Sequence, residues 1–145
     1  MRKTEGLAEE MFDADQASRR LGIEIDELST GRAVARMRIS GAMINGHGIV
    51  HGGYVFLLAD SAFALACNSH GERAVARSAE IVFVRPAREG DELRAIALER
   101  SRAGRSGVYD VTVLRGDGDV VAEFRGQSAV ARPGDEAVGA GSEAT

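Results

Sequence analysis

One carboxylate stands apart in this 145-residue chain. Between Gly52 and Asn68 the only charged residue is Asp60, set among Leu57, Leu58, Ala59, Ala62, Phe63 and Leu65. An unpaired carboxylate is costly to bury, and apolar surroundings raise its pKa. Such a group is either a positioned general base or nucleophile, or a side chain that caps, pairs internally or reaches solvent. The preceding His51-Gly52-Gly53 weighs towards chemistry. It brings glycine backbone to what reads as a helix start, where unpaired N–H groups and the macrodipole favour developing negative charge. A carbonyl attacked there would become an oxyanion held by backbone donors. Asp60 follows His51 by nine residues, a helical separation on the order of 12 Å at a rise of about 1.5 Å per residue. A base so far along cannot serve an oxyanion site at its own helix start. The geometry closes only if two chains share each site, one giving the helix start and the other Asp60. A homodimer is therefore expected.

Other chemistries find little support. Gly46-x-Gly48-x-x-His51 lacks the third glycine of a dinucleotide-binding turn and opens no βαβ unit. No G-x-S-x-G nucleophile elbow occurs. Three histidines and one cysteine, with glycines between His47 and His51, do not make a zinc site. Cys67 reads as a small core residue rather than a nucleophile. No metal or redox cofactor is expected.

The elements that must position these residues follow from periodicity. Leu7, Met11 and Ala14 repeat at helical spacing, so Thr4 to Leu21 reads as one helix, with Gly22 as its stop. Ile23 to Leu28 reads as a strand, and Ser29-Thr30-Gly31 as the turn after it. Ala33, Ala35, Met37 and Ile39 then alternate with Arg32, Arg36 and Arg38, the period of a half-buried strand, and Val34 interrupts its polar face. A glycine-rich loop, Gly41 to Gly53, leads into Tyr54 to Asn68, apolar on almost every side and therefore expected as a buried helix. Four strands follow: Ala74 to Val84, stopped before Pro86; Glu92 to Arg100; one around Tyr109 to Val113; and one from Val120 to Val130. Gly116-Asp117-Gly118 is a tight-turn signal between the last two. This order predicts an α+β fold, an antiparallel sheet wrapped around a central buried helix, with an extra N-terminal helix. Residues 1–131 form one domain in this reading. Residues 132–145, rich in Gly, Ala and acidic residues, are expected to be a disordered tail.

Composition narrows the function classes. A net charge of -4 gives no support to nucleic-acid binding. No run approaches the roughly 20 apolar residues that span a bilayer, and the charged N-terminus has no signal-peptide core. One cysteine excludes an internal disulfide framework, so a cytoplasmic location is expected.

Several segments together are recognisable. Asn45-Gly46-His47, His51-Gly52-Gly53, Leu58-Ala59-Asp60-Ser61-Ala62-Phe63 and Ala66-Cys67-Asn68-Ser69 resemble the hotdog-fold acyl-CoA thioesterases, in particular those of phenylacetate degradation. The likeness continues through Phe83-Val84-Arg85-Pro86, Gly90-Asp91, Gly107-Val108-Tyr109-Asp110 and Phe124-Arg125-Gly126. The resemblance implies hydrolysis of an aryl-CoA thioester, of phenylacetyl or hydroxyphenylacetyl type, to free acid and CoA. CoA enters only as part of the substrate. It implies Asp60 as the catalytic carboxylate, activating water or attacking the thioester carbon. Gly52 would polarise the thioester carbonyl through its N–H. Asn45 would hold the thioester or the water near it, unless its side chain only serves the loop backbone. His51 would support the pocket, as a structural histidine at a helix start or in proton transfer. Ser78 would position the water beside Asp60. In the family Asp60 and Ser78 come from one subunit, Asn45 and Gly52 from its partner, and dimers pair into a tetramer.

For the CoA phosphates the candidates are Arg85, Arg88, Arg102 and Arg105, taken as a group because any single arginine is as well explained by solvation. Gly53, Tyr54 and Pro86 are further expected to belong to the substrate- and CoA-binding surface. Gly104 to Gly107 would let backbone approach the pantetheine arm. Tyr54 and Phe56 would shape the acyl pocket, although packing explains Phe56 equally well. Two readings compete with hydrolysis. A hotdog hydratase or dehydratase would use His51 and Asp60 on a β-hydroxyacyl chain, and a non-catalytic acyl-CoA-sensing module would use neither.

Overall fold

Alternation between two faces, repeated over six segments, builds the sheet of this protein. The computed structural model describes residues 4–132. Its strands are β1 (Glu24–Ser29), β2 (Arg32–Arg38), β3 (Ala74–Phe83), β4 (Glu92–Ala103), β5 (Ser106–Leu114) and β6 (Val120–Val130). They form one antiparallel sheet in the order β1-β2-β4-β5-β6-β3. The helix expected after the glycine-rich loop is α3 (Gly52–Cys67), which packs mainly across β2, β4 and β5. Small residues make that packing close. Ala33, Ala35, Ala95 and Ala97 are fully buried, leaving room for Leu58, Phe63 and Leu65. At Gly126 of β6 an added Cβ would come within 2.7 Å of the Phe63 ring, so the helix rests there on bare backbone.

Three sequence expectations need correction. The single N-terminal helix is two, α1 (Gly6–Asp13) and α2 (Gln16–Arg20). Asp15 breaks it by taking extended backbone and accepting the Ser18 N–H at 2.9 Å, a side-chain cap that begins α2. The second difference is at α3, which begins at Gly52 rather than Tyr54, because His51 caps it and both glycines are already helical. The third is Val34, which is fully buried on the face away from α3. It lies between Glu27 and Ile96 in neighbouring strands, framed by the ion pairs of Arg32 with Glu27 and of Arg36 with Glu24. Arginine stems can cover apolar surface while their heads stay wet.

Two surfaces are left unfinished. Strand β3 is a sheet edge, paired only with β6, and almost all of it is exposed. Along and just past it stand Val82, Phe83 and Val84, 63%, 54% and 46% exposed. The other surface is a stripe of α3. Most of that helix is buried, but Gly53, Phe56, Leu57, Asp60 and Ala64 keep some exposure. These positions recur at helical spacing, so the helix shows one partly open, largely apolar face with Asp60 on it. The expected disordered tail lies, beyond Arg132, outside the described residues. No helix among them is long and apolar enough to cross a membrane.

Candidate active site

The loop before α3 is built by local hydrogen bonding. The Asn45 N–H donates to the Ile49 carbonyl and the Gly48 N–H to the Asn45 carbonyl, closing a tight turn with Gly48 at positive φ. The Asn45 side-chain oxygen accepts the N–H groups of His47, at 2.9 Å, and of Ile49, at 3.3 Å. Outer anchors fix the loop to the body, from Val50 N–H to the Ala87 carbonyl and from His51 N–H to the Met43 carbonyl. Asn45 therefore serves the loop with its oxygen while its amide N–H₂ has no partner among the described residues.

The first turn of α3 shows a similar division. His51 Nδ1 accepts the Gly53 N–H at 2.9 Å, and the His51 carbonyl accepts that of Tyr54. The Gly52 N–H is left without an acceptor among the described residues. First-turn N–H groups are the ones a helix cannot satisfy itself, and here the cap uses the second and leaves the first open. An imidazole whose Nδ1 accepts carries its proton on Nε2 when neutral.

Asn45 and Gly52 share a cavity of about 430 Å³ with Val55, Phe83, Arg85 and Pro86. The Phe83 ring lies over Gly52 so closely that a Cβ there would sit 2.8 Å from it. Phe83 is the residue that site reasoning from the sequence missed. It reaches Gly52 from the far end of β3, and no local spacing signals such a contact. The arrangement offers two unused N–H donors at the wall of an apolar cavity, which is what holding a carbonyl oxygen requires.

Asp60 lies eight residues further along α3, about 12 Å from Gly52 at the helical rise. Burial, and after it repulsion from Asp15, pushes its carboxyl above the ordinary aspartate value. Ser78 stands exposed on β3, just after a bulge at Arg77 that shifts its register against β6. Tyr54 is half-buried, edge-on to His51. Cys67 is buried, and burial pushes its thiol up to about 12, so it is an inert core residue as expected.

The arginines divide between the two ends of the sheet. Arg85 donates to the Val120 carbonyl near the α3 start, and Arg88 lies exposed in the loop after it. Arg102 pairs with Glu72 at 2.7 Å, and Arg105 donates to the Val130 carbonyl, both at the other end. The ten residues of β3 separate those ends by about 30 Å. One chain does not bring the four together. At Gly107 an added Cβ would sit 2.8 Å from both the Tyr109 ring and the Ser128 hydroxyl, so its missing side chain makes room for internal packing. Among the described residues no three His, Cys, Asp or Glu side chains gather as a metal site.

Comparison with known proteins places this geometry in a family. The thioesterase superfamily model matches residues 47–122. The Escherichia coli K12 acyl-coenzyme A thioesterase PaaI is 44% identical over 121 residues, covering 83% of this chain and 86% of that protein. The structure of the E. coli PaaI protein from the phenylacetic acid degradation operon superposes with a TM-score of 0.86 at 41% identity, over 89% of this chain and 94% of that one. A Streptococcus mutans UA159 protein solved bound to acetyl CoA matches with a TM-score of 0.73 at 25% identity, over 75% of this chain and 88% of its own. The chain belongs to the thioesterase superfamily and is a thioester hydrolase with the hotdog fold.

Proposed function

We propose that this chain hydrolyses acyl-CoA thioesters, with aryl esters of the phenylacetyl type as its preferred class, at sites shared between two subunits. The carrying observation is the pair of unused donors, Asn45 Nδ2 and Gly52 N–H, on one apolar cavity at the start of α3. They would hold the thioester carbonyl oxygen as it becomes an oxyanion. Asp60 of the other subunit would take a proton from water, or attack the thioester carbon directly, and Ser78 beside it would orient that water. In the first case the hydroxide adds to the thioester carbon, the C–S bond breaks and the CoA thiolate takes the proton from Asp60. In the second the thiolate leaves first, and water then hydrolyses the acyl–Asp60 anhydride, releasing the acid and the proton that the thiolate takes. His51, spent on capping Gly53, is a supporting residue in this scheme, which weakens the hydratase reading that needs it as a base.

The shared site follows from where one chain leaves its parts. Two copies joined along their exposed β3 edges by a two-fold axis would run those strands antiparallel. The Ala74 end of one β3 then lies beside the Phe83 end of the other. Such pairing brings Arg102 and Arg105 of one subunit towards Asn45, Gly52, Arg85 and Arg88 of its partner, where the CoA phosphates would bind. It also covers the open stripe of α3 that carries Asp60. Pairing of these dimers into a tetramer rests on the family resemblance.

The test is thiol release from a panel of aryl-, short- and long-chain CoA thioesters, followed for the wild type and for Asp60→Asn. An aryl ester should be turned over fastest. Loss of a positioned base should lower kcat by about 10²–10⁴-fold with CoA binding largely kept. Turnover unchanged in Asp60→Asn removes Asp60 from the mechanism. Binding without thiol release in the wild type favours the sensing module.

A further inference from the structure

Outside the segment matched by the family, the N-terminal helices reach α3 through a chain of polar side chains. Asp15, the residue that breaks the N-terminal helix, accepts a hydrogen bond from the Ser18 hydroxyl at 2.6 Å as well as from its N–H. Ser18 is itself 2.7 Å from the Ser61 hydroxyl. Both serines are almost fully buried, and Ser61 is the neighbour of Asp60 on α3. Each hydroxyl has one hydrogen to give. With that of Ser18 committed to the Asp15 carboxylate, the contact between the serines is made by Ser61 donating, its hydrogen shared with the Leu57 carbonyl. The chain runs from α3 towards Asp15, and it fixes a second carboxylate two hydrogen bonds away from the residue beside Asp60.

We propose that Asp15 is a positioning residue for Asp60, held by Ser18 and Ser61 so that its negative charge strengthens Asp60 as a base. This rests on the reading of Asp60 as the catalytic carboxylate. A cap alone needs only an oxygen, and Ser or Asn supplies one as well as Asp. A fixed negative charge near a half-buried carboxylate does more, because it disfavours a second ion and so raises proton affinity. A base of higher proton affinity removes a proton from water more readily, provided it stays ionised at working pH. The charge that bears on Asp60 is that of Asp15, fixed at the start of α2 by its hydrogen bonds to Ser18. The Cys67 thiol, two turns further along α3, is held neutral by burial.

The experiment removes the charge and keeps the cap. Asp15→Asn and Asp15→Ser both leave an acceptor for the Ser18 N–H, and either serves if the other folds poorly. Two quantities are read in the intact protein: the titration of the Asp60 carboxyl by ¹³C NMR, assigned by its loss in Asp60→Asn, and the acid limb of kcat/KM for an aryl-CoA thioester. Both should move to lower pH in the Asp15 variants, with a reduced rate on the plateau, and Asp15→Glu should restore part of each shift. An Asp60 titration identical to wild type in folded Asp15→Asn overturns the proposal whatever the kinetics do. A titration that moves while the acid limb stays in place upholds the coupling and refutes Asp60 as the base.

Discussion

Asp60, as the base proposed above, sets stability against chemistry at a single residue. Its carboxyl is pushed above the ordinary range by burial and then by Asp15, so the folded chain holds that proton more tightly than the unfolded chain does. The linkage has a definite sign: where the folded state binds more protons, stability falls as pH rises. The ionised side chain therefore costs stability at neutral pH, and the cost disappears as pH falls through the folded-state pKa. Asp60→Asn should raise Tm by a few degrees at neutral pH, the scale expected when a change of about 1 kcal/mol acts on a chain of this size. The advantage over wild type should shrink in thermal melts at progressively lower pH. A variant that melts lower than wild type at neutral pH would mean that Asp60 is a stabilising partner rather than a strained ion. Residues of this kind were legible beforehand because they break a pattern locally: a charge in an apolar run, or glycines and a histidine at a helix start. Phe83 and Asp15 were not. Phe83 meets Gly52, and the Ser18 that Asp15 holds meets Ser61 beside Asp60, across tens of residues of sequence, and only the folded chain brings them together.

Glycine at two element contacts separates architecture from chemistry. At Gly126 the Phe63 ring meets bare backbone, and Phe63 is buried with no room to swing aside. Gly126→Ala should therefore lift α3 from β6, at a cost of about 1–3 kcal/mol from overpacking. Chemical denaturation should show it, and the double variant with Phe63→Leu should recover part of the loss. At Gly52 the clashing ring belongs to Phe83, which is 54% exposed and can move outward. Gly52→Ala should leave the denaturation midpoint near wild type and lower kcat instead, because the new methyl group intrudes on the cavity beside the free N–H. Equal stability losses at the two positions would remove this distinction. The elements themselves were readable from period: all six strands and α3 stand where alternation or unbroken apolarity put them. The break at Asp15 was missed because Leu7, Met11 and Ala14 keep helical spacing up to it, and a cap is a local hydrogen bond that hydrophobic periodicity does not record. The strand order was not readable either, since β2 pairs with β4 across the whole of α3 and β3.

At the scale of the molecule, the unfinished edge and the proposed division of the site between subunits call for the same remedy. A long exposed strand carrying Val82 and Phe83 is a template for pairing with another chain, and charge is the usual way to block such an edge. Val82→Asp should shift the protein to monomers in sedimentation equilibrium, and turnover should fall with the dimer fraction although Val82 is no part of the chemistry proposed for the site. Subunit mixing tests the sharing more directly. Asp60→Ala and Asn45→Ala each leave both sites of a homodimer defective. In a mixed dimer one site combines two wild-type halves, and the other takes both defects. Random reassortment of equal amounts makes half the dimers mixed, with one of two sites whole in each, so activity should return to about a quarter of wild type. Isolation of the mixed dimer through two different affinity tags should raise this to about half, the fraction of whole sites in that species. If each chain instead built its own site, every subunit would carry one defect and no pairing could repair it. Verified mixed dimers as inactive as their parents would therefore return Asp60 and Asn45 to a single chain, against the helical separation between Gly52 and Asp60 from which the shared site was argued.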